Sequence, residues 1–198
     1  ETIAAIPLAG ELSYTFSKSR TQLYFGNRLV DIIRLDGVLA FGIRQEIGKV
    51  GILAASWLFT PFELNFWEDP FVENEARKPT AMNLPGIRLR WGRVFQTKLE
   101  LTISARKYQY DNEKSGEWLL EQGRLNENQL SLLNRNGEAL EVIATYKFDL
   151  QQHYLQPGYR FNFNNHSGGG IANNRSTYFI GYGFRGTGLL QDAKANII

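Results

Sequence analysis

Residues 85–110 read PGIRLRWGRVFQTKLELTISARKYQY. Ile87, Leu89 and Trp91 alternate with Arg88, Arg90 and Gly92. After the link Phe95-Gln96-Thr97 the alternation resumes, with Leu99, Leu101, Ile103 and Ala105 opposing Glu100, Thr102, Ser104 and Arg106. A period of two puts each set on its own face of a strand. The stretch therefore predicts an antiparallel hairpin with one apolar and one charged face.

The same pattern recurs along the chain. It predicts strands at about residues 10–17, 21–26, 37–47, 50–59, 85–94, 98–110, 139–148, 153–163 and 176–186. In 37–47, Leu39, Phe41, Ile43 and Ile47 oppose Val38, Ala40, Gly42, Arg44 and Glu46. In 139–148, Leu140, Val142, Ala144, Tyr146 and Phe148 oppose Glu141, Thr145 and Lys147. In 153–163, Leu155, Tyr159, Phe161 and Phe163 oppose Gln156, Arg160 and Asn162, and in 176–186, Tyr178, Ile180, Tyr182 and Phe184 oppose Gly181, Gly183 and Arg185. Several strands are about ten residues long, enough to cross a bilayer when tilted, whereas ordinary strands run to about five or six. Pro157 is out of place in a central strand, because it removes a ladder donor, and marks a candidate bulge.

Connections alternate between short and long. Tight links fall at Lys18-Ser19-Arg20, Gly48-Lys49, Phe95-Gln96-Thr97 and Asp149 to Gln152; long loops fall at about 27–36, 59–84, 111–138 and 164–175. Outer-membrane barrels sort their connections in this way, with short periplasmic turns on one rim and long extracellular loops on the other. A soluble antiparallel sheet with one wet face explains the period of two, but not the strand lengths or the sorted loops. In loop 111–138, Leu125-Asn126-Glu127 predicts a helix start, Leu130, Leu132 and Leu133 an apolar side, and Asn136-Gly137 a stop. Barrel topology predicts at least one further strand before residue 10, or strand pieces within Glu1–Ala9 and Gly188–Ile198.

Composition is consistent with one barrel domain over 1–198. The 13 Phe, 9 Tyr and 4 Trp are abundant, yet mean hydropathy is polar, as expected of a wall apolar outside and polar inside. A net charge of +2 is too small to imply a nucleic-acid partner. The chain has no Cys, hence no disulfide and no thiolate metal site.

Quoted in order, Pro7-Leu8-Ala9-Gly10-Glu11-Leu12-Ser13-Tyr14-Thr15-Phe16, Thr21-Gln22-Leu23-Tyr24-Phe25-Gly26-Asn27 and Gly42-Ile43-Arg44-Gln45 resemble a domain-of-unknown-function family of Gram-negative outer-membrane β-barrel proteins. Trp67-Glu68-Asp69-Pro70-Phe71, Gly86-Ile87-Arg88-Leu89 and Leu132-Leu133-Asn134-Arg135-Asn136-Gly137 extend the likeness over most of residues 7–148. The resemblance implies an outer-membrane barrel with more strands than the nine read here. It carries over no catalytic residue.

The inward faces collect Arg44, Arg88, Arg90, Arg106, Arg160 and Arg185 with Glu46, Glu100 and Glu141. An Arg facing lipid costs about 2–4 kcal/mol at the midplane, so these side chains belong in a lumen. Two roles stay open: a charged lining that selects solutes and favours anions, or Arg–Glu pairs that fill a narrow interior. In loop 59–84, Trp67, Glu68 and Asp69 are candidate ligand contacts among Phe59, Phe62, Phe66 and Phe71. The simpler reading of those aromatics is an interfacial girdle with a locally packed loop. His153 and His166 are the only side chains whose ordinary titration lies near neutral pH. They fall at opposite strand ends, and Ser167 beside His166 is not a triad, so neither an enzyme nor a metal site is expected, and no cofactor.

The sequence thus predicts an all-β, antiparallel, up-and-down transmembrane barrel of about 10–12 strands in a Gram-negative outer membrane. Lipid and lipopolysaccharide are its expected surroundings. The expected function is porin-like passage of small polar or anionic solutes. The alternatives are a closed barrel that displays its loops to a ligand or partner, and a soluble lipocalin-like carrier.

Overall fold

The computed structural model describes residues 10–27, 38–61, 64–184 and 195–197. These residues form an antiparallel all-β structure. Ten strands follow one another side by side: β1 (Glu11–Phe16), β2 (Thr21–Gly26), β3 (Leu39–Ile47), β4 (Gly51–Phe59), β7 (Gly86–Gly92), β8 (Leu99–Tyr110), β9 (Gly137–Tyr146), β11 (His153–His166), β12 (Asn173–Phe184) and β13 (Ala195–Ile197). Three short strands lie off this path. A hairpin of β5 (Leu64–Trp67) and β6 (Pro79–Asn83) joins β8 through Met82 and Asn83, and β10 (Phe148–Leu150) continues β9 along β11. Among the described residues no ladder joins β1 to β13, so the sheet is open there.

Register lines up side chains of one kind across the sheet. On one face Phe25, Phe41, Trp57, Ile87, Ala105, Leu140 and Phe163 are successive cross-strand partners. On the other face Tyr24, Gly42, Ser56, Arg88, Ser104, Glu141, Asn162 and Arg175 form the equivalent row. Burial is inverted relative to a water-soluble sheet. Trp57, Ile87 and Leu89 are more than half exposed, whereas Arg88, Ser104 and Glu141 are buried. Concealing an arginine while showing its leucine neighbours opposes the ordinary preference of these side chains in water.

The inner face is packed by pairing glycine with aromatic rings. A Cβ at Gly42 would lie 2.7 Å from the Tyr24 ring, one at Gly158 2.3 Å from Phe179, and one at Gly183 2.2 Å from Tyr154. The rings lie over the bare backbone, and arginines lie over two of them: Arg44 is 4.1 Å from the Tyr24 centroid and Arg160 is 5.5 Å from that of Phe179. Nearer the long loops an apolar cluster of Val38, Ala40, Leu58, Met82 and Leu84 takes over, with Tyr24, Leu64, Tyr108 and Tyr110 against it.

All nine expected strands occur within residues 10–184 with shifted ends, and three short strands outside that expectation, β5, β6 and β10, join them. The strand expected over 85–94 stops at Gly92 because Arg93 turns into the left-handed region at φ 50°. Loop 164–175 contracts to residues 167–172, because the β11–β12 ladder runs on to Asn164 opposite Asn173. Pro157 makes no bulge. The ladder of β11 with β9 ends at Gly158–Thr145 and resumes with β10 at Leu155–Phe148 in the same register, so the missing proline donor falls in the gap. Loop 111–138 carries two short helices, α1 (Glu117–Glu121) and the expected α2 (Glu127–Ser131). Asn126 caps α2 through a reciprocal bond with Gln129. Of the terminal pieces, β13 lies within Gly188–Ile198, and Glu1–Ala9 lies outside the described residues.

Candidate functional site

Alternation puts every second residue of the wall on the concealed face, and two cavities open there. The smaller, about 160 Å³, lies toward the tight turns. Arg44, Arg88, Arg90, Arg93, Glu11 and Glu100 are among its walls. These charges are paired: Arg44 Nη2 lies 2.5 Å from Glu11 Oε2, Arg90 Nη2 lies 2.6 Å from Glu100 Oε2, and Arg93 Nη2 lies 2.5 Å from Glu46 Oε1. Arg20 adds a second, looser contact to Glu46 at 3.8 Å. Arg88 is held by its Nε, which donates to Ser104 Oγ at 3.1 Å.

The larger cavity, about 800 Å³, lies toward the long loops. Its walls come from the inner faces of β8, β9, β11 and β12 and from the β5–β6 hairpin. Arg106, Arg135 and Arg175 line it, with Glu141 as the one carboxylate. Glu141 Oε2 lies 3.5 Å from Arg160 Nε, and their side chains are 9% and 18% exposed. The remaining walls mix amides, such as Asn162, Asn164 and Asn173, with the rings of Phe66 and Tyr108 and the aliphatic side chains of Leu64, Met82, Leu84 and Ile171. Asn164 Nδ2 donates to Asn173 Oδ1 at 3.0 Å.

A crown of loops frames this cavity, and two side chains knit it. Asp69 is buried. Its Oδ1 accepts from the amides of Phe71 at 2.9 Å and Gly116 at 3.0 Å, and its Oδ2 from that of Trp118 at 2.9 Å. Loop 59–84 is thereby tied to the start of α1. Arg135 Nε donates to Glu113 Oε2 at 2.8 Å, and its Nη2 donates to the carbonyls of Trp67 and Glu68 at 2.8 and 2.9 Å. The guanidinium also lies 4.3 Å from the Tyr110 ring centroid. His166 at the rim directs Nδ1 at the Arg135 carbonyl, 2.8 Å away, so Nδ1 carries the proton there.

Arg44, Glu46, Arg88, Arg90, Glu100, Arg106, Glu141 and Arg160 all lie on the concealed face, and Arg185 lies outside the described residues. Arg44, Arg88, Arg90 and Glu100 gather at the smaller cavity, Arg106 and Glu141 at the larger. Trp67, Glu68 and Asp69 line neither. Asp69 and the Trp67 carbonyl hold the crown together, and Glu68 lies 3.5 Å from Lys114 Nζ. His153 and His166 stand at opposite ends of β11. Among the described residues no cluster of three metal-ligating side chains occurs.

Sequence reading missed Tyr108, Asn164, Arg175 and Arg135. Continuing the period of two past Arg106 and Asn162 reaches Tyr108 and Asn164, and stepping back from Gly181 reaches Arg175. Arg135 sits in a loop with no period to follow.

No curated protein and no solved structure matches the chain. The family model described as "Protein of unknown function (DUF2860)" matches residues 1–185, and the chain belongs to that family.

Proposed function

We propose that this protein is a β-barrel of a Gram-negative outer membrane that passes small polar solutes, anions preferred, through a lumen lined by its inward arginines. The inverted burial of the sheet carries this reading. Tyr178 is 82% exposed, Ile180 61% and Leu89 53%, while Arg88 is 5% exposed. Water penalises that apolar surface by about 25 cal/mol per Å², whereas lipid does not. In such a wall the strands run through the bilayer and the exposed face meets lipid and lipopolysaccharide. No helix among the described residues is long and apolar enough to cross a membrane. The reading requires neither catalysis nor a cofactor.

A specific observation favours a second reading. The Arg–Glu pairs at the turn end leave only the 160 Å³ cavity between them. A lumen neutralised and narrowed in this way suits a closed barrel that displays its crown of loops.

Refolding into detergent, a heat-modifiability gel and planar-bilayer conductance test both. Discrete conductance steps with a reversal potential of anionic sign are expected. Cation preference would refute the arginine lining. A heat-modifiable barrel without conductance would favour the closed form, and a monomer soluble without detergent would remove the membrane assignment.

A further inference from the structure

The larger cavity has features that passage alone does not require. We propose that it is a binding site for an acidic saccharide, a short sugar chain bearing carboxylates. Its volume of about 800 Å³ lies within the range of about 300–1,000 Å³ typical of small-molecule sites. It holds three arginines against one glutamate, and that glutamate already faces Arg160. Arg135 is engaged by Glu113 and two carbonyls. The Arg175 side chain forms no ion pair or hydrogen bond among the described residues and is exposed at the cavity wall. A planar guanidinium with its donors available matches a carboxylate in two-point fashion.

Next to that charge stands the amide of Asn162, the cross-strand partner of Arg175, also without a side-chain partner among the described residues. An amide offers a carbonyl acceptor and two N–H donors together. Sugar hydroxyls, each both donor and acceptor, complement that pattern. The rings of Phe66 and Tyr108, packed against Tyr110 and His166, add apolar surface on the same walls, which a sugar ring's C–H groups can meet. An inorganic anion would use the arginine and leave the amides and rings idle; a neutral sugar would leave the guanidinium idle.

The inference deepens the lumen reading, since the site would be the first solute contact on the loop side, but its test does not depend on conductance. Titration calorimetry on the refolded, heat-modifiable protein would compare a trigalacturonate with neutral maltotriose, sodium acetate and inorganic phosphate. Saturable binding of trigalacturonate, with the other three at least tenfold weaker, is expected. Arg175→Gln should weaken it roughly tenfold or more, the worth of a charge-assisted bond. Asn162→Asp, which puts a negative charge beside the carboxylate, should weaken trigalacturonate without weakening maltotriose. Lys18→Gln, on an exposed turn at the far end, should change nothing. Equal binding of maltotriose would overturn the acidic class, equal binding of acetate or phosphate the saccharide, and no binding by a folded barrel the site itself. Failure of the channel reading would register separately, as absent conductance with binding intact.

Discussion

The two ends of the concealed face use the same residue type to opposite ends. Toward the tight turns, arginines are tied to glutamates within 2.5–2.6 Å and the space between is small. Toward the loops, the wall flares into a cavity of about 800 Å³, and arginines either brace the crown, as Arg135 does, or stand at the wall, as Arg175 does. The difference lies in what surrounds each guanidinium. Glycines 42, 158 and 183 let rings fill the inner face, and the arginines close over them. Near the loops Ser104, Ala139, Asn162 and Asn164 stand on the wall beside Tyr108 and Tyr110, and a cavity remains between them. The number of charges is therefore a poor guide to an open lumen; their partners decide it.

The sharpest way to break this contrast is to remove the carboxylate at the boundary between the two ends. Glu141 and Arg160 form a largely buried ion pair of the wall. Glu141→Ala breaks this largely buried pair, at a cost of about 3–5 kcal/mol. Urea unfolding from lipid vesicles should show that loss, and Arg160→Leu made in the same chain should restore part of it. A change below about 1 kcal/mol would mean that water reaches the pair freely.

A second experiment contrasts faces instead of ends. Leu89 and Arg90 are chain neighbours on opposite sides of β7. Leu89→Arg puts a guanidinium on the exposed apolar face, where a bilayer imposes about 2–4 kcal/mol near its midplane. In a water-soluble sheet the same change at an exposed site would shift stability by about 0.5 kcal/mol or less. Urea midpoints in vesicles separate the two directly, and a near-zero effect would count against the lipid-facing wall.

These experiments rest on what could be read before any coordinates. Alternation in residues 85–110 placed Arg88, Arg90, Glu100 and Arg106 on one face because period and pleat are local properties of a strand. Strand ends were less readable, since Arg93 stops β7 by a backbone turn that its side chain does not announce. Pairing partners were invisible: Arg44 finds Glu11 from 33 residues away, a consequence of register and not of pattern. In the crown the start of α2 was legible from Asn126, but the ties between loops were not. Asp69 read as a ligand contact on composition, yet its carboxylate meets amides 47 and 49 residues on.

That long-range tie makes a third test. Asp69→Ala strips the acceptor from three backbone amides and should cost about 2 kcal/mol of local stability. Faster hydrogen exchange at the Gly116 and Trp118 amides would report it, with protection in β8 and β11 unchanged. Asp69→Asn, which keeps one carbonyl acceptor, should fall between. Uniform loosening of the wall would show that crown and wall are one cooperative unit instead of two.

The smallest effect belongs to another Arg–Glu pair of the same concealed face. Arg90 and Glu100 are closer, 2.6 Å against 3.5 Å, but their side chains are 39% and 23% exposed against 18% and 9%. Solvent screening and side-chain entropy limit such an exposed pair to about 1 kcal/mol or less. A double-mutant cycle with Arg90→Gln and Glu100→Gln should therefore give a coupling well below that at Glu141–Arg160, despite the shorter contact. If the shorter pair couples more strongly, separation outranks burial on this face, and the turn end is drier than the exposures of its residues indicate. That outcome would strengthen the closed reading of the lumen, because a dry constriction of paired charges leaves no path for a hydrated anion.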